Sequence, residues 1–189
     1  MRVAVVVGHD DENQGAYSAT LDTWEWAFNL PVAAGVVQGL DARGAVAKLF
    51  ERTAGVGYST AMKVLTDEVN SWGADLVVSL HFNAMGDTSF AGCCALHWPS
   101  SVRGNMAAAA ISEAAAMAVG NRNRGAIAQA DSWSGAPLYI LKDTAAPAVI
   151  VESFFGSNPE DATKGGAARD SGALAAAIAG AVYGIVADW

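Results

Sequence analysis

The chain has 189 residues, 52% hydrophobic and 16% charged, which suits one compact domain, residues 1–189, with a substantial core. A formal net charge of -8 argues against a nucleic-acid partner, because phosphate binding rests on clustered Lys and Arg. No stretch approaches the roughly 20 uninterrupted apolar residues that cross a bilayer, and an acidic surface gains nothing from an anionic membrane.

Residues 3–7, all Val or Ala, predict a buried first strand, too short for the apolar run of an export signal. The strand ends in a polar loop, Gly8-His9-Asp10-Asp11-Glu12-Asn13-Gln14-Gly15, the position where open α/β sheets place their sites. Helical spacing of Trp26, Leu30, Ala33 and Val37 predicts a helix over 22–40, capped by Asp22 or Thr23 and kinked at Pro31. A strand over 45–50 and a helix over 58–72 follow, the latter stopped by Gly73. Residues 74–80 read as the strongest strand and run directly into His81-Phe82-Asn83-Ala84.

Further on, 92–98 reads as a strand closed by Pro99, and 106–119 as an alanine-rich helix ended by Gly120. Two more strands are expected over 138–142 and 148–151, the second delivering Glu152, with a final helix over 173–186. This alternation predicts an α/β fold: a mixed, mostly parallel sheet with helices on both faces. The short connection through Thr144-Ala145-Ala146-Pro147 predicts that 138–142 and 148–151 form an antiparallel pair.

Two of the three histidines, His9 and His81, follow the two clearest buried strands, so both belong on one rim of the sheet. Catalytic zinc takes three protein ligands and keeps a fourth place for water, and two histidines with one carboxylate is an established set. Asp10, Asp11, Glu12, Asp22 and Glu25 are all candidates for the third ligand, and composition does not choose among them. Glu25 sits among Trp24, Trp26 and Phe28, where a carboxylate needs a compensating positive charge. Glu152, at the end of a core strand with apolar neighbours, has the setting of a general base whose pKa is raised by burial.

His97 with the adjacent Cys93 and Cys94 is read as strand packing rather than a second metal site, since neighbouring cysteines point to opposite faces. Trp24, Trp26, Trp98 and Trp133 are read as core or rim packing, with stacking on sugar faces as the alternative.

Together, Gly8-His9, Gln14-Gly15-Ala16, Glu25 ahead of Asn29-Leu30, Ser79-Leu80-His81-Phe82-Asn83-Ala84 and Pro147-Ala148-Val149-Ile150-Val151-Glu152-Ser153-Phe154-Phe155-Gly156-Ser157-Asn158 resemble the zinc-dependent N-acetylmuramoyl-L-alanine amidases of the Amidase_3 group, phage endolysin catalytic domains among them. The resemblance spans nearly the whole chain. It implies a domain related to the zinc carboxypeptidases, Zn2+ held by His9, Glu25 and His81, Glu152 as catalytic base, and peptidoglycan as substrate. Asn83 would help to stabilise an oxyanion, and Arg52 would stand for the family's arginine-rich segment as a substrate contact.

The chain departs from the family where glycines usually follow the first histidine, having Asp10-Asp11-Glu12-Asn13 instead. Residues 99–105 are too short for the inhibitory helix that some members insert, so an uncovered site is expected. The expected setting is that of a phage lysin, reaching the wall from the host cytoplasm, or of a domain trimmed from a secreted enzyme; the oligomeric state is left open. A carboxypeptidase or peptide amidase with the same ligands, and an inactive wall-binding module, are the competing readings.

Overall fold

A computed structural model describes residues 1–132, 135–187 and 189, so Trp133 lies outside the described residues. The elements in chain order are β1 (Arg2–Val7), β2 (Tyr17–Ser18), β3 (Thr23–Trp24), α1 (Glu25–Asp41), β4 (Val46–Phe50), α2 (Tyr58–Trp72), β5 (Leu76–Asn83), β6 (Cys93–His97), α3 (Val102–Val119), β7 (Asn123–Ala128), α4 (Tyr139–Lys142), β8 (Ala148–Phe155), α5 (Pro159–Asp170) and α6 (Ala173–Ala187).

Six strands form one sheet in the order β4-β1-β5-β8-β6-β7. The first four run parallel, so their C-terminal ends share one edge, whereas β6 is antiparallel to β8 and parallel to β7. The sheet is therefore mixed and mostly parallel, but the antiparallel partner of β8 is β6, not residues 138–142. That segment is the one-turn helix α4, in which the Asp143 N–H donates to the Tyr139 carbonyl at 2.8 Å. A run as short as Leu138-Tyr139-Ile140-Leu141 fits a strand or a helical turn equally, and periodicity cannot arbitrate. The connection before β8 thus leaves a helix and is not a hairpin.

Both faces of the sheet are covered. Along β1, Val3, Val5 and Val7 enter a core with α1, α3 and α6, while Ala4 and Val6 enter a second core with α2 and α4. Each fully buried Val or Leu contributes about 1.5–3 kcal/mol, which explains why β1 from Val3 onward and the start of β5, Leu76 to Val78, are apolar. Helices α1 and α6 approach closely: a Cβ on Gly35 would come within 2.8 Å of the Ala175 Cβ, and one on Gly39 equally near that of Ala179.

Several boundaries differ from the sequence reading. Helix α1 starts at Glu25, not near Asp22, because Thr23 and Trp24 pair with Ser18 and Tyr17 in a small hairpin. Helix α3 starts at Val102, where the Ser101 hydroxyl accepts the Gly104 N–H. Strand β7 and helix α5 carry too few apolar residues to announce themselves, although Asn158 capping Asp161 and Pro159 at the first turn are a start signal for α5. Among the described residues, no single helix is long and apolar enough to cross a membrane.

Candidate active site

The shared C-terminal edge of the parallel strands carries the titratable groups. His9 follows β1 directly, and its φ of 68° places it in the left-handed region that non-glycine residues seldom occupy. His81 lies within β5, and Glu152 lies within β8; both strands run past these residues rather than ending before them, as the sequence suggested. Pairing of β5 with β8 puts His81 and Glu152 side by side.

Glu25, the first residue of α1, reaches this edge because two loop carbonyls hold the helix start: the Glu25 N–H donates to Ala16 O and the Trp26 N–H to Gln14 O, each at 2.9 Å. The loop after His9 is thereby tied to the helix that carries Glu25. One carboxylate oxygen of Glu25, Oε1, lies 2.7 Å from His81 Nδ1; the other, Oε2, lies 3.1 Å from His9 Nε2 and accepts the Ala16 N–H at 3.1 Å.

One donor atom from each of His9, Glu25 and His81 can be chosen so that all lie within 4.8 Å of one another. Two imidazole nitrogens and a carboxylate so close together match the donor chemistry of a zinc site with an open position, where ligand–zinc distances are about 2.0–2.2 Å. Burial pushes the Glu25 carboxyl up, but hydrogen bonds from His81 and then His9 outweigh it and hold the group down to about 2, so it is an anion ready to face a cation. Asp11, Glu12 and Asp22, the other exposed candidates for third ligand, stay outside this group, and Asp10 is engaged elsewhere.

Glu152 has the opposite electrostatic character. Desolvation pushes its carboxyl up to about 7, with the His81 charge opposing and the Glu25 charge reinforcing the shift. The residue is partly exposed, yet its Oε2 is buried without a hydrogen-bond partner. A carboxylate this poorly solvated and aimed at a cleft is suited to exchanging protons near neutral pH.

Three features of the surroundings escaped the sequence reading. Ser79, two residues before His81 on the same face of β5, has its hydroxyl 3.1 Å from His81 Nε2, leaving Nδ1 turned toward Glu25. Alternation along the strand could have revealed it. Two glycines form a cradle: a Cβ on Gly8 would lie 2.3 Å from His81 Cε1, and one on Gly15 would lie 2.6 Å from Glu25 Oε2. Thirdly, buried Asp10 pins the loop, its Oδ1 accepting the N–H groups of Glu12 at 3.1 Å and Asn13 at 2.7 Å, while its Oδ2 takes Arg52 Nε at 2.7 Å.

Arg52 therefore meets Asp10 and lies over the Tyr58 ring. It also lines the cleft beside the histidines. Asn83 sits two residues beyond His81, its side-chain oxygen accepting the Ala84 N–H at 2.8 Å. The Cys93 and Cys94 thiols are buried, burial pushing both up, the second to about 12, and His97 bonds the Trp98 carbonyl at 2.9 Å, so these residues are strand packing. The link between β6 and α3 is short, and the side chains of His9 and His81 stay 30% and 19% exposed.

Two cavities flank the site. The larger, about 630 Å³, lies on the α2 and α4 side and is lined by His9, His81, Glu152, Arg52 and Tyr58 over an apolar floor. The smaller, about 480 Å³, lies on the other side of His9, lined by Glu12, Asn13, Gln14, Gly15 and Trp24.

A family model described as N-acetylmuramoyl-L-alanine amidase matches residues 3–183. No curated protein matches significantly. Among solved structures, the CwlD amidase from Clostridioides difficile, determined in complex with the GerS lipoprotein, superposes with a TM-score of 0.84 at 18% identity, covering 100% of this chain and 99% of that one. The catalytic domain of CwlV, an N-acetylmuramoyl-L-alanine amidase from Bacillus (Paenibacillus) polymyxa var. colistinus, gives 0.81 at 21% identity, with 97% of each chain covered. The catalytic domain of an endolysin targeting Clostridia difficile gives 0.80 at 24% identity, covering 100% of this chain and 97% of that one. At these identities the superpositions establish a shared fold.

Proposed function

We propose that this chain, which belongs to the N-acetylmuramoyl-L-alanine amidase family, hydrolyses the amide between N-acetylmuramic acid and L-alanine in peptidoglycan, with zinc held by His9, Glu25 and His81. The convergence of two imidazoles on one buried carboxylate, beside an unpaired carboxyl, carries this reading. A bound zinc ion supplies Lewis acidity, polarising a carbonyl and lowering the pKa of water to about 7.

The protein's own groups do the rest. Glu152, deprotonated and partly desolvated, takes a proton from the attacking water at its unpaired oxygen and returns it to the departing alanine nitrogen. Burial of this carboxyl favours its taking up a proton, which is what a general base needs. Ser79 holds the His81 ring so that Nδ1 faces the ligand cluster, and Ala16 N–H holds the Glu25 carboxylate. Asn83, at the end of the same strand as His81, would steady the carbonyl oxygen with its amide NH2 once negative charge develops there, its side-chain oxygen being taken by the Ala84 N–H.

The test is digestion of purified peptidoglycan by protein of measured zinc content. New α-amino groups on alanine without new reducing sugar ends identify an amidase. Released terminal D-amino acids would instead identify a carboxypeptidase, reducing ends a glycosidase, and binding without turnover an inactive wall-binding module. Chelation should abolish the activity and zinc restore it.

A further inference from the structure

We infer that Trp24, braced by Tyr17, is a sugar-binding platform that takes the glycan half of the substrate, which gives the cleft a direction; this rests on the amidase reading above. The two residues are cross-strand partners in the hairpin of β2 and β3, so their rings lie on one face of the ribbon, with centroids 5.1 Å apart and planes at 57°. Both are exposed, Tyr17 at 44% and Trp24 at 46%. Tyr17 covers part of the Trp24 ring and the rest of that ring borders the smaller cavity, an apolar surface of the kind that takes a sugar face. The ribbon is held by the Tyr17 hydroxyl bonding Asp22, itself in the left-handed region with φ 48°. Trp24 immediately precedes Glu25, so the platform and the ligand cluster move as one body.

The chemistry of the two cavities sets the direction. Glu152 lines the larger cavity and not the smaller, while His9 lines both. The group that protonates the leaving amine marks the side where the peptide sits, so the acyl half, a lactyl group attached to a sugar, extends past His9 toward Trp24. The smaller cavity, about 480 Å³, falls within the usual range for a small-molecule site of about 300–1,000 Å³. Its side chains Asn13 and Gln14 offer neutral amides for hydroxyl and acetamido groups. Glu12 repels an anionic stem peptide there, whereas Arg52 lines the other cavity.

Isothermal titration of zinc-loaded protein with the peptide-free disaccharide N-acetylglucosaminyl-N-acetylmuramic acid tests this. The wild type should bind it; Trp24→Ala should weaken binding by about tenfold, in line with the usual worth of an aromatic contact, Trp24→Phe should keep most of it, and Tyr17→Leu should fall between. Zinc content and melting temperature should match wild type in all three, and cleavage of the sugar-free amide lactoyl-L-alanine should be unchanged while KM for glycan substrate rises. Unaltered disaccharide binding in Trp24→Ala, no binding by the wild type, or equal losses on sugar-free and glycan substrates would overturn the platform. A wild type that binds the disaccharide yet cleaves neither amide would instead overturn the amidase reading.

Discussion

His81 and Glu152 are directly paired in the parallel register of β5 and β8, so the candidate ligand and the candidate base are neighbours on adjacent strands. Backbone hydrogen bonding of two buried strands fixes this juxtaposition, which makes it far stiffer than one built on loops. The carboxyl is therefore held at the cluster's side without a hydrogen bond of its own.

Replacing Glu152 by Gln preserves shape and removes the proton acceptor. Zinc content should stay at wild-type level while kcat falls by about 100- to 10,000-fold, the usual worth of a general base. His81→Ala should lose both metal and turnover. Metal analysis beside release of alanine amino groups checks the pair, and a Glu152→Gln variant digesting peptidoglycan at near wild-type rate would remove Glu152 from the mechanism.

The pH dependence follows from the sign of the same shift. Burial raises the Glu152 pKa from its ordinary 4.5 to about 7, so in metal-free protein the native state binds the proton more tightly than the unfolded chain does. Stability contributed by this group is present below pH 4.5 and is lost as the pH rises through about 7. The carboxylate is the working form of a base, so kcat/KM should fall on the acid side. A bound dication favours the anion, which places that limb below the metal-free value. Carboxyl NMR titration with and without zinc measures both.

Ser79→Ala removes the partner of His81 Nε2 and leaves the ring free to turn. Zinc affinity, measured against a competing chelator, should fall by about 10- to 100-fold with the fold intact. Equal affinity in the variant would show that packing against Gly8 alone orients the ring.

The cradle glycines tolerate no side chain. Gly8→Ala drives a methyl into the His81 ring, and Gly15→Ala meets the Glu25 carboxylate while also straining a backbone at φ 81°. Both should cost about 1–3 kcal/mol of stability and most of the bound zinc. Thermal melts and metal content of the two variants test the expectation.

Arg52→Ala leaves the buried Asp10 carboxylate without its cation and should destabilise the fold by about 3 kcal/mol. A double replacement, Asp10→Asn with Arg52→Met, keeps a side-chain acceptor for the Glu12 and Asn13 N–H groups and should recover most of that stability. If Arg52 also contacts substrate, the double variant will fold and hold zinc yet show a raised KM.

Much of the fold was legible because burial on both faces leaves a plain mark: the unbroken Val and Ala of β1 and the apolar run of β5 can only be interior strands. The same rule fails where pairing, not composition, makes the element. Strand β7 has few apolar residues and exists because it pairs with β6, while 138–142 has the right composition for a strand and is a helical turn. Composition likewise does not say whether Trp24 is core or rim: it lies on the β2–β3 hairpin beside Tyr17, 46% exposed.

The sequence by itself determined the alternation of elements and the placing of His9 and His81 on one rim of the sheet, because residue type and local periodicity are properties of the chain alone, while the family and Glu25 as the histidines' partner came through the resemblance of its motifs. Only the tertiary structure decided which strand neighbours which, that Asp10 serves Arg52 and not a metal, that Ser79 steadies His81, and that Trp24 faces the cleft from a hairpin. Asp10 and Arg52 stand 42 positions apart in the chain, and contacts of that kind are set by strand order and helix packing, which leave no local pattern to read.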